Sequence, residues 1–364
     1  MEKSCDFGNT ELDLANTATK GVSTPHSDAT RVMHTHIDIE RWPLRAPFRI
    51  TGYAFTESDV MVVTLTEDGI CGRGEAAGVH YRGENPQSMA QQLEAIRPML
   101  ERGVTRESLR SLLPPGGARN ALDCALWELE ARRSGVPAWR IAGLEAPKPL
   151  ATTYTVGADT AEAMARTAAS YRGAKRLKLR LTGEDDVARL RAVRAARPDA
   201  WIGVDANQAY DAVSLRAVLP ALLEADVELI EQPVRVGCER ELAGFDSPIP
   251  LAADESVQSM RDLPNAVGLF DVINIKLDKC GGLTEALEMV AEIRRLGMKP
   301  MVGCMEGTSL AMAPACLAGA RCDLVDLDGA MFLAEDRRPA ALYRGGTVHC
   351  PDVWGEPLAP TKSN

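Results

Sequence analysis

The chain reads as an α/β barrel set behind an N-terminal α+β module, and three observations predict it. From about residue 150 onward, short β-branched runs alternate with helical stretches. These runs end on charged residues that recur at roughly one strand–helix interval. Before residue 150 the order differs, with strands first and helices after.

Taken in order, residues 1–30 are rich in Thr, Ser, Asn and Asp and lack the apolar core of a secretory signal. They read as a disordered tail. Residues 31–148 form the module. IDIERWPL and DVMVVTLTEDGICGRGEA suggest antiparallel strands with a turn at Glu67-Asp68-Gly69. ARNALDCALWELEARRSG is helical and is stopped by Gly135 and Pro137. Trp127 and Leu129 fall among its apolar positions and are expected in a core. Gly72, Gly74 and Gly78 do not make the phosphate-binding G-x-G-x-x-G pattern, and a strand hairpin explains them better. His34 and His36 alternate along the first strand and are expected at the surface.

Residues 149–334 are the predicted barrel. Its runs are ATTYTV, RLKLRL, WIGVDA, VELIEQP, IPLAADE, VINIKLD, PMVGC and DLVDLD, starting 22 to 28 residues apart. Between them lie stretches such as EDDVARLRAVRAAR and TEALEMVAEIRRLG, the second ending in the helix-stop residue Gly297. That rhythm implies parallel strands joined by helical crossovers. Eight of them favour closure over an open doubly wound sheet. Residues 335–364 hold Pro and Gly without a long helix, and are expected to pack back on the module.

Composition narrows the function classes. The 364 residues are 45% hydrophobic and 25% charged, as in a globular domain. A net charge of -10 argues against nucleic acid, which selects basic faces. No run approaches the ~18 to 20 apolar residues that span a bilayer. Nine cysteines without a CxxC pair fit free thiols in a reducing cytoplasm. The five histidines lie toward the chain ends, which disfavours Ser–His–Asp catalysis or His-ligated zinc in the middle.

The chemistry is expected at the run ends: Lys178 with Arg180, Asp205, Glu231, Asp254, Lys276, then Asp326 with Asp328. From Lys178 to Lys276 the gaps are 27, 26, 23 and 22 residues. Charges in that phase meet at the C-terminal ends of barrel strands. One acid there is ordinarily a helix cap and one lysine a solvated side chain. Acid after acid at that interval, flanked by lysines, is harder to reach by capping. Three converging carboxylates suit Mg²⁺, which leaves positions open for substrate oxygens. A carboxylate held there loses its α-proton more easily. A lysine whose pKa is lowered by desolvation and the nearby cation can act as base.

VDANQ, IEQP, ADES and NIKLDKCGG together resemble the enolase superfamily, in its muconate-lactonizing subgroup. The resemblance covers residues ~31 to 345 and implies a modified (β/α)7β TIM-like barrel under an N-terminal capping domain. It implies metal ligands at Asp205, Glu231 and Asp254, with Lys276 as one acid/base, and a homo-oligomer. GCMEGTS followed by DLDGAMFLAEDR is similar to the dipeptide epimerases, typified by L-Ala-D/L-Glu epimerase, in which a D-x-D pair binds the substrate α-ammonium. Asp326 and Asp328 match that pair. Two departures stand out. The second strand reads Lys178-Leu179-Arg180 where the family reads K-x-K, so the second face falls to Arg180, to Lys178 or to neither. The segment ITGYAFTES (50–58) lacks the arginine that some relatives use for a substrate carboxylate. The expected activity is Mg²⁺-dependent epimerisation of a dipeptide or N-acylated amino acid, with no nucleic-acid or membrane partner. The rivals are a one-base syn-elimination lyase or cycloisomerase, which K-x-R suits, and a non-catalytic binding protein.

Overall fold

Alternating apolar residues build the first sheet. In the computed structural model, which describes residues 33–50, 53–351 and 354–358, β1 (His34–Ile50) pairs antiparallel with β2 (Tyr53–Glu67), and β2 with β3 (Ile70–Ala76). The tail expected over residues 1–30 lies outside the described residues. Asp68 and Gly69 turn β2 into β3 with φ of 51° and 78°, the positive values a two-residue hairpin loop requires. His34 and His36 are exposed on β1.

The helix Gly117–Ser134 lies directly on β3, and two glycines make that approach possible. A Cβ on Gly74 would stand 2.0 Å from the Ala121 carbonyl oxygen, and one on Gly72 2.2 Å from that of Ala125. The glycines of GRG are therefore packing residues. Gly74→Ala is expected to cost about 3 kcal/mol, because backbone and not a flexible side chain must yield. A lower urea midpoint would register it. The helix stops at Gly135, which is left-handed at φ 68°.

One face of this helix closes the cap core with Met61, Val63 and Leu65. Its other face carries Cys124 and Trp127 into the same core as the barrel helices. Polar bonds fix that junction. The Trp127 indole N–H donates to the Thr284 hydroxyl at 2.9 Å, and Asp123 accepts from the Thr284 hydroxyl at 2.6 Å. Arg119 is buried between the Gly281 carbonyl, at 3.2 Å, and the Glu285 carboxylate.

After β4 (Leu150–Ala151) come β5 (Tyr154–Val156), β6 (Arg176–Arg180), β7 (Trp201–Asp205), β8 (Val227–Glu231), β9 (Leu251–Ala253), β10 (Val272–Lys276), β11 (Lys299–Gly303) and β12 (Leu324–Asp326). Strands β5 to β12 form one eight-stranded parallel sheet in sequence order. The Thr153 N–H donates to the Val325 carbonyl at 3.0 Å, which brings the first and last strands together as a nearly closed barrel. The run ATTYTV is split, because Thr152 and Thr153 turn their groups to residues 325–327. β4 instead pairs with β14 (Thr347–His349), itself paired with β13 (Leu342–Arg344).

Side chains alternate across each strand. Leu177, Leu179, Ile202, Val204, Ile230, Ile273, Ile275 and Val302 pack outward under the helices. The alternate set points inward, with Leu229, Ala252, Val272 and Met301 filling the barrel floor. Above that floor the inward positions become polar. Beyond the barrel, Arg337 bridges Glu40 and Glu75, and the Trp354 indole donates to the Arg73 carbonyl at 3.0 Å. No helix among the described residues is long and apolar enough to cross a membrane.

Candidate active site

Strand register lays out the polar layer. Arg180 stands beside Asp205, and Asp205 beside Glu231; Lys276 stands beside Gly303, and Gly303 beside Asp326. Asp254 follows β9 on the same side. One oxygen from each of Asp205, Glu231 and Asp254 lies within 4.8 Å of the others, and all three residues are buried. Strands β6 and β10 are second and sixth of eight, so Lys178 and Lys276 enter from opposite walls.

Every carboxylate of the triad has a cation or amide on it. The Lys276 ammonium donates to Asp254 at 2.7 Å, and so does that of Lys279. Lys178 is paired with Asp326 and lies 3.3 Å from Glu231 and 3.4 Å from Asp205. Arg180 is paired with Asp205 and donates to the Asn207 side chain at 3.0 Å. The Asn274 amide donates to Glu231 at 2.6 Å.

Burial and like charge separate the ionisation of these groups. Burial, reinforced by Asp205, pushes the Glu231 carboxyl up to about 7. Asp254 is driven the other way, since Lys276 and Lys279 outweigh its burial. Burial and Asp326 push Asp328 up to about 7, while Lys178 holds Asp326 below the usual carboxylate range despite its burial. Both lysines lie among carboxylates. Burial acts to lower Lys276, but Asp254 and Glu231 hold it above the ordinary lysine range, and Asp326 and Glu231 do the same for Lys178.

Asp328 accepts the Thr155 N–H at 2.6 Å and borders a groove of about 400 Å³ lined also by Arg45, Tyr171, Met331 and Phe332. Strand-end residues from β6 to β12 thus meet around the triad, with Asp326 reaching Lys178, while the buried Asp328 turns to the Thr155 N–H.

Comparison with known proteins fits this layout. The family described as enolase C-terminal domain-like matches residues 160–356, and the N-terminal domain of the mandelate racemase/muconate lactonizing enzymes matches residues 32–143. The chain belongs to the enolase superfamily. Among superfamily relatives, the L-Ala-D/L-Glu epimerase of Escherichia coli (strain K12) is 40% identical over 85% of this chain and 97% of that protein. A solved enolase family member from Agrobacterium tumefaciens, with homology to dipeptide epimerases and holding sodium and L-Ala-L-Glu, is 41% identical. It covers 89% of this chain and 100% of that one, at a TM-score of 0.86. The dipeptide epimerase of Methylococcus capsulatus, solved with Mg and L-Arg-D-Lys, is 30% identical over 89% of this chain and 98% of its own, at a TM-score of 0.82.

The donor set of this enolase-superfamily member fits Mg²⁺: three convergent carboxylate oxygens, all hard ligands. Asn274 marks the spot as well, since its buried side-chain oxygen finds no protein donor beside Glu231.

The strand-end rule missed several residues. Lys279 lies one helical turn beyond Lys276, and Asn274 two residues before it on the same strand face. Gln232 accepts the Asp254 N–H at 3.0 Å and so sets that ligand's backbone. These three were signalled by spacing from known ligands. His80 and Tyr81 were not: they reach the barrel mouth from the cap, where Tyr81 accepts from Gln258 at 3.0 Å.

Proposed function

We propose that this chain epimerises dipeptides at the α-carbon next to their free carboxylate. One observation carries the reading: a carboxylate triad lies between amines that enter from opposite barrel walls. In this reading Asp205, Glu231 and Asp254 hold Mg²⁺. When bound, the cation binds the substrate carboxylate and offsets the charge that builds on it as the α-proton leaves.

The remaining work falls to side chains. Lys276 would take the proton on one face, where an ion held by Asp254 would draw off the carboxylate charge that otherwise keeps the amine protonated. On the other face Arg180 stays protonated, because Asp205 holds it above even the usual guanidinium range despite its burial. Lys178 is then the group there that can deliver and accept a proton. Asp326 and Asp328 receive the substrate ammonium, and the groove beside Asp328 gives its amino end an entrance. That feature favours a dipeptide over a substrate lacking a cationic end.

Incubating L,L-dipeptides with the enzyme and Mg²⁺ in D₂O tests the proposal. The expected result is α-deuterium at the C-terminal residue together with the L,D product, both read by proton NMR. Label without inversion would favour the one-base alternative, and no label across a broad library would defeat the proposal.

A further inference from the structure

We propose that Cys316 and Cys350 form an oxidant-responsive pair, which closes to a disulfide and ties the end of the chain to the barrel. Both sulfurs meet at one helical carbonyl, and a cavity brings solvent to one of them. The inference is independent of the epimerase reading above and uses none of the residues of the polar layer.

The helix Ser309–Gly319 joins β11 to β12 and is buried along most of its length. Cys350 follows β14 directly and packs against the same core as that helix. Its thiol donates to the Ala313 carbonyl at 3.6 Å. A helical side chain leans back over the turn before its own Cα, so Cys316 covers that carbonyl from within the helix. The two thiols are hydrogen-bonded to each other there, and that bond together with burial pushes the Cys316 thiol up. Cys316 is only 3% exposed. Cys350 is half-buried, and it lines a cavity of about 350 Å³ together with Leu317, Trp139 and Trp354. One sulfur is thus open to a small oxidant, and the other is shielded behind it.

Neighbouring thiols turn elsewhere. Cys304 donates to the Asp326 carbonyl at 3.5 Å, and Cys322 to the Ala318 carbonyl at 3.4 Å. Ala318 lies roughly 140° further round the helix than Ala313. Hydrogen peroxide is the oxidant, and the reaction balances on the pair alone. The Cys350 sulfur, as thiolate, attacks one peroxide oxygen; the O–O bond breaks, and hydroxide leaves with the proton that Cys350 gave up. Cys316 then attacks the sulfur of the resulting sulfenic acid. The S–S bond forms, the S–O bond breaks, and the Cys316 proton departs with the hydroxyl as a second water. Each sulfur loses one electron and the peroxide gains two. The bridge joins residues 34 apart in the sequence, 316 and 350, and so encloses β12.

The test treats the full chain with hydrogen peroxide, quenches with catalase, alkylates in denaturant with iodoacetamide and digests without reductant. Mass spectrometry is expected to find a cross-linked Cys316–Cys350 peptide that dithiothreitol releases, while Cys71, Cys238 and Cys322 carry the alkyl group. Peroxide should also raise the thermal midpoint by about 5 °C, because the bridge restricts the unfolded chain. Cys350→Ser, a substitution at a half-buried position, should abolish both results. Alkyl groups on both Cys316 and Cys350 would overturn the inference, and so would a sulfinic acid on Cys350 beside an alkylated Cys316. A bridge from either residue to another cysteine, or a midpoint that rises equally in Cys350→Ser, would do the same.

Discussion

Lys276→Ala is expected to lower α-proton exchange by about 10²- to 10⁴-fold, the contribution of a positioned base. The variant should keep its circular dichroism and its Mg²⁺ binding. Asp254 retains Lys279 at 2.7 Å as a counter-ion, so removing one amine does not strand the carboxylate. Calorimetric titration with Mg²⁺ separates the two effects. Lost exchange with preserved binding places Lys276 in the chemistry; loss of both would make it a structural ion-pair partner.

The second large effect is on inversion alone. Lys178→Ala is expected to lower inversion relative to exchange by about 10²-fold, because it removes the one amine on the wall opposite Lys276 that can pass a proton. In the native chain that wall carries a guanidinium bound to Asp205 and Asn207, which donates hydrogen bonds but does not accept a proton. Following an L,L-dipeptide in D₂O gives both rates in one experiment. A ratio that stays level would mean that Lys178 does not serve that face.

The triad was legible before any coordinates because parallel barrels convert spacing into position. Residues that end successive strands, one strand–helix unit apart, face the same mouth, and Asp205, Glu231 and Asp254 obey that rule. Lys276, Lys178 and Asp326 were readable for the same reason. Their ionisation was not. Each amine is surrounded by carboxylates from strands distant in sequence, and near neighbours of opposite sign outweigh burial there. The cap's contribution was also hidden. His80 and Tyr81 sit almost two hundred residues from the loops they touch, and nothing in their local sequence distinguishes a turn that docks from one that faces water. Docking depends on Gly72 and Gly74 letting a helix press onto β3, and a glycine in a strand announces close approach without naming what approaches.

That pressed helix has a bearing on how such enzymes diversify. Trp127, Asp123 and Arg119 make its outer face a fitted part of the core shared with the barrel helices, so cap and barrel are keyed to each other. Transplanting a foreign lid to alter preference would break that fit. Substitutions in the turn His80–Arg82 leave the seam untouched, and are the gentler path for engineering or for descent.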